Sequence, residues 1–497
     1  MSVFLAVLSW LLVFLVLLGA VPLLAACYEY LLIGVHFRYN HYDQCRPWFP
    51  RTAVLIAAWN EAAVIGTTVD RLMQMDYPRA SLRVVIVDDA STDETPQVLA
   101  AKAAEYPGNV FHLRRAKGGE GKAAALNHGL AFILGDEWME ALLIADADPI
   151  FEPTALRRMT RHLSDPDVGA VTAYIKEGAP TNYLTRFIPY EYITGQAVAR
   201  RSQNVLGAIQ CLAGGAQLHS RANIVALGGK VDNSTLAEDT VTTIETQRAG
   251  RRVVFEPHAV VLAEEPGSIR ALWKQRLRWA RGNVQITLRY RRMWFRPQPA
   301  CKLGSVTFGV LWFSLLLQPF FMIGDSTCLL TLYLINGTVA WKAFGILWLA
   351  NAMSFVFITV LTLLIDPATG RRTWVEGFMF SGAVNLIVMI AAVVTAPMQG
   401  LTVAVLAAVG LRLTHSWAVG AVLFIYAWQA GSMALAYLAK AIEAAPFGRV
   451  VAQVLLYTAG YGPLMCAVTL ASLVRELQGA EAKWDKTEKT GKVMVPA

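Results

Sequence analysis

The chain has 497 residues, of which 55% are hydrophobic and only 16% charged, with a formal net charge of +8. Water-soluble domains carry nearer about 25% charged residues, so this composition excludes an ordinary soluble protein. No basic helix or aromatic-basic interleaving stands out in the central block, which speaks against nucleic acid as a partner. The six scattered cysteines (Cys27, Cys45, Cys211, Cys301, Cys328, Cys466) show no CxxC pair or zinc spacing and point to reduced thiols.

Residues 3–26 are almost wholly apolar and too long for a signal-peptide core. They read as a membrane anchor with its N-terminus outside, crossing once or, if the run continues through Ile33, folding back as a re-entrant pair. Residues 38–300 hold nearly all the charge and are long enough for one large α/β domain. Arg38, Arg46 and Arg51 follow the first apolar run, and Arg289, Arg291, Arg292 and Arg296 precede the second group. That arrangement follows the positive-inside rule and places the block in the cytoplasm.

Within the block, RTAVLIAAWNE predicts a buried strand running into a loop and helix. LRVVIVDDASTDET predicts a second strand ending in Asp88 and Asp89, and residues 93–106 a helix. NVFHLRR is a short strand, KGGEGKAAALNHGLAFI a glycine-rich turn feeding a helix, and ALLIADADPIF a third apolar strand. Strand and helix alternate at short spacing, which predicts an α/β fold with a mostly parallel sheet. Ligands bind at the carboxyl ends of such strands, and three of those ends carry WNE, DDAS and DAD.

Asp146 and Asp148, two apart at a strand end, face the same way. Such like charges want a cation between them, and Mg²⁺ or Mn²⁺ with oxygen ligands fits; a solvated acidic loop is the plain alternative. Asp88 and Asp89, with Asn60 and Glu61 at the neighbouring strand end, are placed to accept hydrogen bonds from a nucleoside, although Asp88 could simply cap its own turn. Lys122 precedes Ala, so the glycine-rich turn is not a P-loop. It can still contact a diphosphate or a carboxylate. Glu238 and Asp239 sit in the first turn of a helix, where the dipole favours anions; the sharper reading makes Asp239 a general base for an acceptor hydroxyl. Gln275, Arg278 and Trp279 span little more than one helical turn and can share a face, with Arg276 pointing elsewhere. A basic interfacial helix anchored by its Trp is the alternative there.

The ordered set WNE (59–61), DDASTDE (88–94), GEGKAAALN (119–127), DAD (146–148), CLAGG (211–215), AED (237–239) and QRLRW (275–279) resembles membrane-bound family 2 glycosyltransferases of the processive kind. That group includes the bacterial cellulose, hyaluronan, chitin, chitooligosaccharide and poly-N-acetylglucosamine synthases. The resemblance covers about residues 50–300 closely. It implies a GT-A fold. It also implies that Asp88 or Asp89 contacts uridine, Asp146 lies near the donor diphosphate or ribose, and Asp148 holds the metal. By the same resemblance Asp239 deprotonates the acceptor, while Gln275, Arg278 and Trp279 seat the acceptor sugar and the donor diphosphate, with Glu238 beside them. The reaction implied inverts an α-linked donor to a β-linked product, and QxxRW goes with repeated addition and export of the chain through the membrane helices. The sequence departs from the family in carrying Ala237 where threonine is usual and Trp59 where smaller residues or tyrosine are common. Cellulose synthases often carry a cyclic-di-GMP domain after the membrane region, and from the short tail none is expected here.

After residue 300 the apolar runs predict spans at 304–324, 343–365, 374–396, 399–413, 417–439 and 449–474, most reaching the ~20 residues that cross a bilayer. The stretch 326–338 is ambiguous, and six or seven spans are expected in all. Asp325 and Asp366 fall near predicted span ends, which speaks against a transporter. The segments 181–200 and 285–300 are candidates for lying along the membrane, the former alternatively packing inside the domain. The domain plan expected is an anchor at 1–35, a cytosolic catalytic domain at 36–300, a transmembrane region at 301–474 and a tail at 475–497. The expected function is processive transfer from UDP-glucose or UDP-N-acetylglucosamine to a growing β-glycan at a bacterial inner membrane, with membrane lipids and a periplasmic or regulatory protein as further partners. The alternative is a single transfer to a lipid-linked acceptor.

Overall fold

The computed structural model describes residues 2–38, 41–178, 182–299, 301–395 and 415–481. The chain divides into a helical unit (Met1–Tyr30, Ser268–Ala280 and Val310–Gln478) and an α/β unit (Leu31–Gly267, Arg281–Gly309 and Gly479–Ala497).

The α/β unit is built on one eight-stranded sheet. Its strands are β1 (Thr52–Ala58), β2 (Leu82–Asp88), β3 (Val110–Arg114), β4 (Ala141–Ala145), β5 (Ile150–Phe151), β6 (Val168–Glu177), β7 (Ala216–Ser220) and β8 (Arg252–Ala263), in the order β3-β2-β1-β4-β7-β6-β8-β5. The first four are parallel to one another. Beyond them β7 runs antiparallel to both β4 and β6, β6 and β8 are parallel, and β5 is antiparallel to β8. The expected parallel sheet is therefore the N-terminal half of a mixed one. β1 and β4 are buried along nearly their whole length, which is why they read as unbroken apolar runs.

Chain order leaves β1 toward β2 and β3, then returns to β4 on its other side. That reversal opens a crevice at the carboxyl ends of β1 and β4. Register carries the acidic motifs to that edge, since Ala58 pairs with Asp88 and Ile56 with Ala145. The helix Lys122–Ile133 packs on this half of the sheet through Ala125, Leu126, Leu130 and Ile133, against Leu55, Val87, Leu142 and Ile144. Gly129 allows the close approach: a β-carbon there would lie 2.3 Å from Leu55 Cδ1. Within the segment 182–206, residues 187–206 are helical and buried on nearly every side, with Phe187, Ile188, Tyr190, Ile193, Val198 and Arg201 all inside. It is a packing element of the domain, not a helix lying along a membrane, because it has no continuous face free for lipid.

Among the described residues, three helices are long and apolar enough to cross a membrane, or up to five if each of two bent pairs counts as one span. The N-terminal run forms two helices, Ser2–Leu18 and Val21–His36, meeting at Gly19–Ala20. The run at 304–324 is not one helix. Val306–Leu316 stops, and Gln318–Ile335 begins with Pro319 at its start, where the missing N–H costs nothing. Asp325 consequently lies inside an apolar helix and not near a span end. Asp366 does sit at an end, capping Pro367–Phe378 by accepting from Thr369 N at 3.2 Å. The expected spans 374–396 and 449–474 are each broken, by 81° and 96°. The breaks face each other: Gly382 (φ +90°) and Gly460 (φ +104°) approach so closely that a β-carbon on either would lie 2.5 Å from the other segment's backbone. Apolar composition alone does not reveal a break made by one glycine. The expected span 399–413 lies outside the described residues.

Candidate active site

Three carboxylates and one ammonium converge at the crevice edge. Lys122 begins the helix that packs on the sheet, and its Nζ reaches Asp146 Oδ1 at 2.5 Å, Gly214 O at 3.3 Å and Glu238 Oε1 at 3.6 Å. Gly214 and Gly215 of CLAGG lie directly before β7, whose Ala216 pairs with Ala145. A β-carbon on Gly214 would lie 3.1 Å from Asp239 Oδ2, and one on Gly215 3.4 Å from Asp146 Oδ2. The two glycines thus keep open the space between Asp146 and Asp239.

Asp239 opens the helix Glu238–Arg248 and accepts from Thr240 N at 2.7 Å. That helix is tied to CLAGG, because Thr243 Oγ1 donates to Asp239 O and accepts from Leu212 N. Enclosure by protein and the adjacent Glu238 raise the Asp239 pKa to about 6, with the Lys122 ammonium acting the other way. Burial by itself would lower the Lys122 pKa, but Asp146 and Glu238 outweigh it and hold the ammonium charged well above its ordinary range. Burial and the Asp239 carboxylate push the Cys211 thiol well up, so it stays protonated beside Asp239.

At the β1 and β2 ends, Asp88 Oδ1 accepts from Ser91 N at 2.8 Å, which is the turn-capping role. Its Oδ2 is buried with no hydrogen-bond partner among the described residues, 3.5 Å from Arg114 Nε and 3.8 Å from His112 Nε2. A buried acceptor left over in this way fits a ligand N–H or hydroxyl. Asp89 is held differently. It pairs with Arg115, which also pairs with Glu120, and accepts from Gly119 N at 3.3 Å. Asn60 and Ala90 both adopt left-handed backbone (φ 55° and 56°). For alanine that conformation costs on the order of 1 kcal/mol, and such strain gathers at ligand sites. Asn60 Oδ1 accepts from Thr92 N at 2.8 Å and Thr95 Oγ1 accepts from Glu61 N at 2.8 Å, so WNE and DDASTDE form one locked edge.

Asp146 and Asp148 supply hard oxygen donors at the end of β4, both half-exposed, and Gly215 leaves beside Asp146 a cradle that a β-carbon would fill. These residues fit a divalent cation of the Mg²⁺ or Mn²⁺ class.

QRLRW lies on the helix Ile269–Arg289, in the part that belongs to the helical unit. Glu443 caps that helix, accepting from Ile269 N and Arg270 N at 2.8 and 3.0 Å. Gln275 is buried, and Trp279 is 39% exposed. Arg276 does not point elsewhere: it hydrogen-bonds Gln275 and lies 4.1 Å from the Trp279 ring centre. A planar guanidinium stacks on an indole whenever i and i+3 bring them together.

The later half of the same helix belongs to the α/β unit and supports the loop before Asp239. Gln285 Oε1 accepts from Leu236 N at 2.9 Å, and a β-carbon on Gly282 would lie 2.8 Å from that of Ala237. This contact accounts for Ala237, since a larger residue there would press on the helix. Replacing Gly282 by Val is expected to displace the Asp239 loop and lower kcat by at least about tenfold, because small misplacements of catalytic groups are costly; Gly282→Ala should do less, and steady-state kinetics on both variants checks the order.

Residues 50–282 match the family described as "Glycosyltransferase like family 2". The probable glycosyltransferase YdaM of Bacillus subtilis (strain 168) is 30% identical over 324 residues, covering 64% of this chain and 75% of that protein. The chain belongs to glycosyltransferase family 2. The beta-monoglucosyldiacylglycerol synthase of Synechocystis sp. is 34% identical over 254 residues (50% of this chain, 51% of that protein). The poly-beta-1,6-N-acetyl-D-glucosamine synthase of Staphylococcus aureus (strain COL) is 29% identical over 236 residues (47% and 55%). The chain thus spans about half the length of these two relatives. Among solved structures, the mannosyltransferase of Pyrobaculum calidifontis in complex with GDP-Man and Mn²⁺ matches with a TM-score of 0.52 at 22% identity, covering 78% of this chain and 99% of that one. That likeness is one of fold: the mixed sheet of this family 2 glycosyltransferase is GT-A-like.

Proposed function

We propose that the protein transfers glucose or N-acetylglucosamine from its UDP-sugar to a growing β-linked polysaccharide, on the cytosolic side of a bacterial inner membrane that its apolar helices cross several times. The observation that carries this reading is the convergence of Lys122, Asp146, Glu238 and Asp239 at one strand edge. Asp88 Oδ2, which has no hydrogen-bond partner among the described residues, accepts from the nucleoside, and Asn60, Glu61 and Asp89 shape that edge. Lys122 and Asp146 border the diphosphate. Asp148, with Asp146 beside it, would hold Mg²⁺ or Mn²⁺, which when bound supplies neutralising charge to the leaving diphosphate.

Asp239 takes the proton of the acceptor hydroxyl as its oxygen bonds to the anomeric carbon. The bond from that carbon to the phosphate oxygen breaks, UDP departs, and configuration inverts. A pKa near 6 leaves Asp239 ionised at neutral pH yet basic enough to help. Gln275, Arg278 and Trp279 seat the acceptor, and QxxRW favours repeated addition with export through the helices that follow residue 300. The domain plan proposed is an anchor at 1–35, the catalytic domain at 36–300 and the membrane region at 301–474.

A second reading, a single transfer to a lipid acceptor, draws on the 34% identity to a glycolipid synthase. Full-length protein in detergent, given Mg²⁺ or Mn²⁺ and each UDP-sugar in turn, separates the two. A long polymer from one donor is the expected product. One sugar added to a lipid overturns the processive reading in favour of the second, and no transfer from any UDP-sugar with a competent lipid and glycan acceptor overturns both.

A further inference from the structure

A second cluster of chemically reactive side chains lies in the α/β unit, among residues with no part in the site above. His41, on the short helix His41–Gln44, faces His162, the last residue of the helix Ala155–His162. Their rings are nearly coplanar (6° apart), with centroids 5.1 Å apart and Nδ1 to Nδ1 at 2.8 Å. Each outer nitrogen meets a carboxylate: His41 Nε2 to Asp165 Oδ2 at 3.0 Å, and His162 Nε2 to Glu256 Oε2 at 2.8 Å. Cys45 Sγ lies 3.7 Å from His41 Nδ1 and 3.7 Å from His41 Nε2. Both histidines and Cys45 are buried, and their donor atoms lie within 4.8 Å of one another.

The proton count is the informative part. An ionised carboxylate only accepts, so each Nε2 must carry a hydrogen. Neutral imidazoles then aim a lone pair at each other from the two Nδ1 atoms, across 2.8 Å. Something positive must stand between them, either a third proton or a metal ion. The adjacent thiol decides for the metal. Two imidazoles and a sulfur are a borderline-soft donor set suited to zinc. A tetrahedral ion with Zn–S near 2.3 Å and Zn–N near 2.0–2.1 Å holds sulfur and nitrogen about 3.6 Å apart; Sγ is already 3.7 Å from Nδ1, and because it stands equally near Nε2 it would turn toward the Nδ1 side to bind. The two nitrogens would part by about half an ångström to admit it. A carboxylate on the far nitrogen of each histidine is the arrangement that fixes the tautomer of metal-bound imidazole. A cavity of about 320 Å³, lined by His36, Asp43, Arg158, Arg201 and His258 among others, adjoins the rings and offers a way in. None of its lining residues belongs to the carboxylate cluster of the candidate active site.

We propose that His41 Nδ1, His162 Nδ1 and Cys45 Sγ form a zinc-type metal site, with Asp165 and Glu256 as its outer shell. Its role is to staple the connector that follows the first apolar helices onto the catalytic domain. Arg161 Nε already donates to Cys45 O at 2.8 Å across the same junction, and the ion adds the bonds that make the junction rigid.

The test uses full-length protein carrying a non-histidine tag, purified in detergent and dialysed, with its metals counted by mass spectrometry. About one zinc per chain is expected. Loading with Co²⁺ is expected to produce a thiolate-to-cobalt charge-transfer band. Cys45→Ala should abolish that band, and His162→Gln should weaken zinc binding at least tenfold. Asp148→Ala should leave both signals intact, which separates this site from the one at the DAD motif. Folded wild-type protein that retains no zinc and shows no cobalt–thiolate band overturns the proposal and assigns the cation between the rings as a proton. That wild-type measurement stands even if a variant fails to fold. Zinc retained in folded Cys45→Ala equally overturns the ligand set.

Discussion

If Asp239 serves the acceptor and not the nucleotide, as proposed, Asp239→Asn is expected to lower kcat by about 10²–10⁴-fold while leaving the donor KM nearly unchanged. Asn keeps the size and the acceptor oxygen toward Thr240 N but cannot take a proton. In the wild type, kcat/KM should fall about tenfold per pH unit below about pH 6, since only ionised Asp239 is a base. The variant should lack that limb. Stability moves the other way. The folded pKa, about 6, exceeds the ordinary 3.8, so the folded chain binds more protons between those values and loses stability as pH rises through them. At neutral pH the ionised carboxylate is therefore a cost, and removing it should stabilise the fold. A thermal midpoint that rises while kcat collapses would mark a residue retained for chemistry. A midpoint that falls with kcat would assign Asp239 to structure.

The parts of this molecule legible in the sequence are those where one local pattern carries the information. β1, β2 and β4 are apolar runs ended by acidic residues, and parallel register carries those ends to one edge. β6, β7 and β8 gave no comparable signal. β7 is a five-residue strand carrying Gln217 and His219, and β8 has Glu256 and Pro257 in its middle, beside the irregularity between Ala173 and Tyr174. Their pairing depends on contacts distant in sequence, which periodicity does not report. At the site, the carboxylates and Lys122 were legible by residue type. The partners that decide what each does were not: Arg115 on Asp89, the thiol of Cys211 beside Asp239, and the glycines that keep the pocket open. CLAGG held the sign of two of these, since paired glycines at the mouth of a strand mark close approach. The His41–His162 pair was hidden because its members lie 121 residues apart. The helix breaks at Gly382 and Gly460 were hidden because hydropathy counts glycine as neutral whether it bends the chain or not.

Lys122→Met tests whether the cluster works as one electrostatic unit. Lys122 is the cation that Asp146 and Glu238 share, and it lowers the Asp239 pKa against burial. Removing it leaves three carboxylates facing one another. Asp146, 41% exposed, can turn to water, whereas Glu238 and Asp239 have less freedom to do so. The acid limb of kcat/KM should therefore shift to higher pH, since the Asp239 pKa rises above about 6 once its opposing cation is gone. Donor KM should rise as well, because a charge that borders the diphosphate is lost. Stability should fall. A lysine whose folded pKa is raised stabilises the fold at every pH below its ordinary value and loses that contribution only as pH passes the folded one. The full loss thus appears at pH 7, unlike the gain expected for Asp239→Asn. Lys122→Arg should restore the position of the acid limb through its charge, although not the donor KM, because a planar fork does not replace a compact ammonium at a single carboxylate oxygen. An acid limb that stays in place in Lys122→Met would separate Lys122 from Asp239 and leave the ammonium a helix-start residue paired with Asp146 and Glu238.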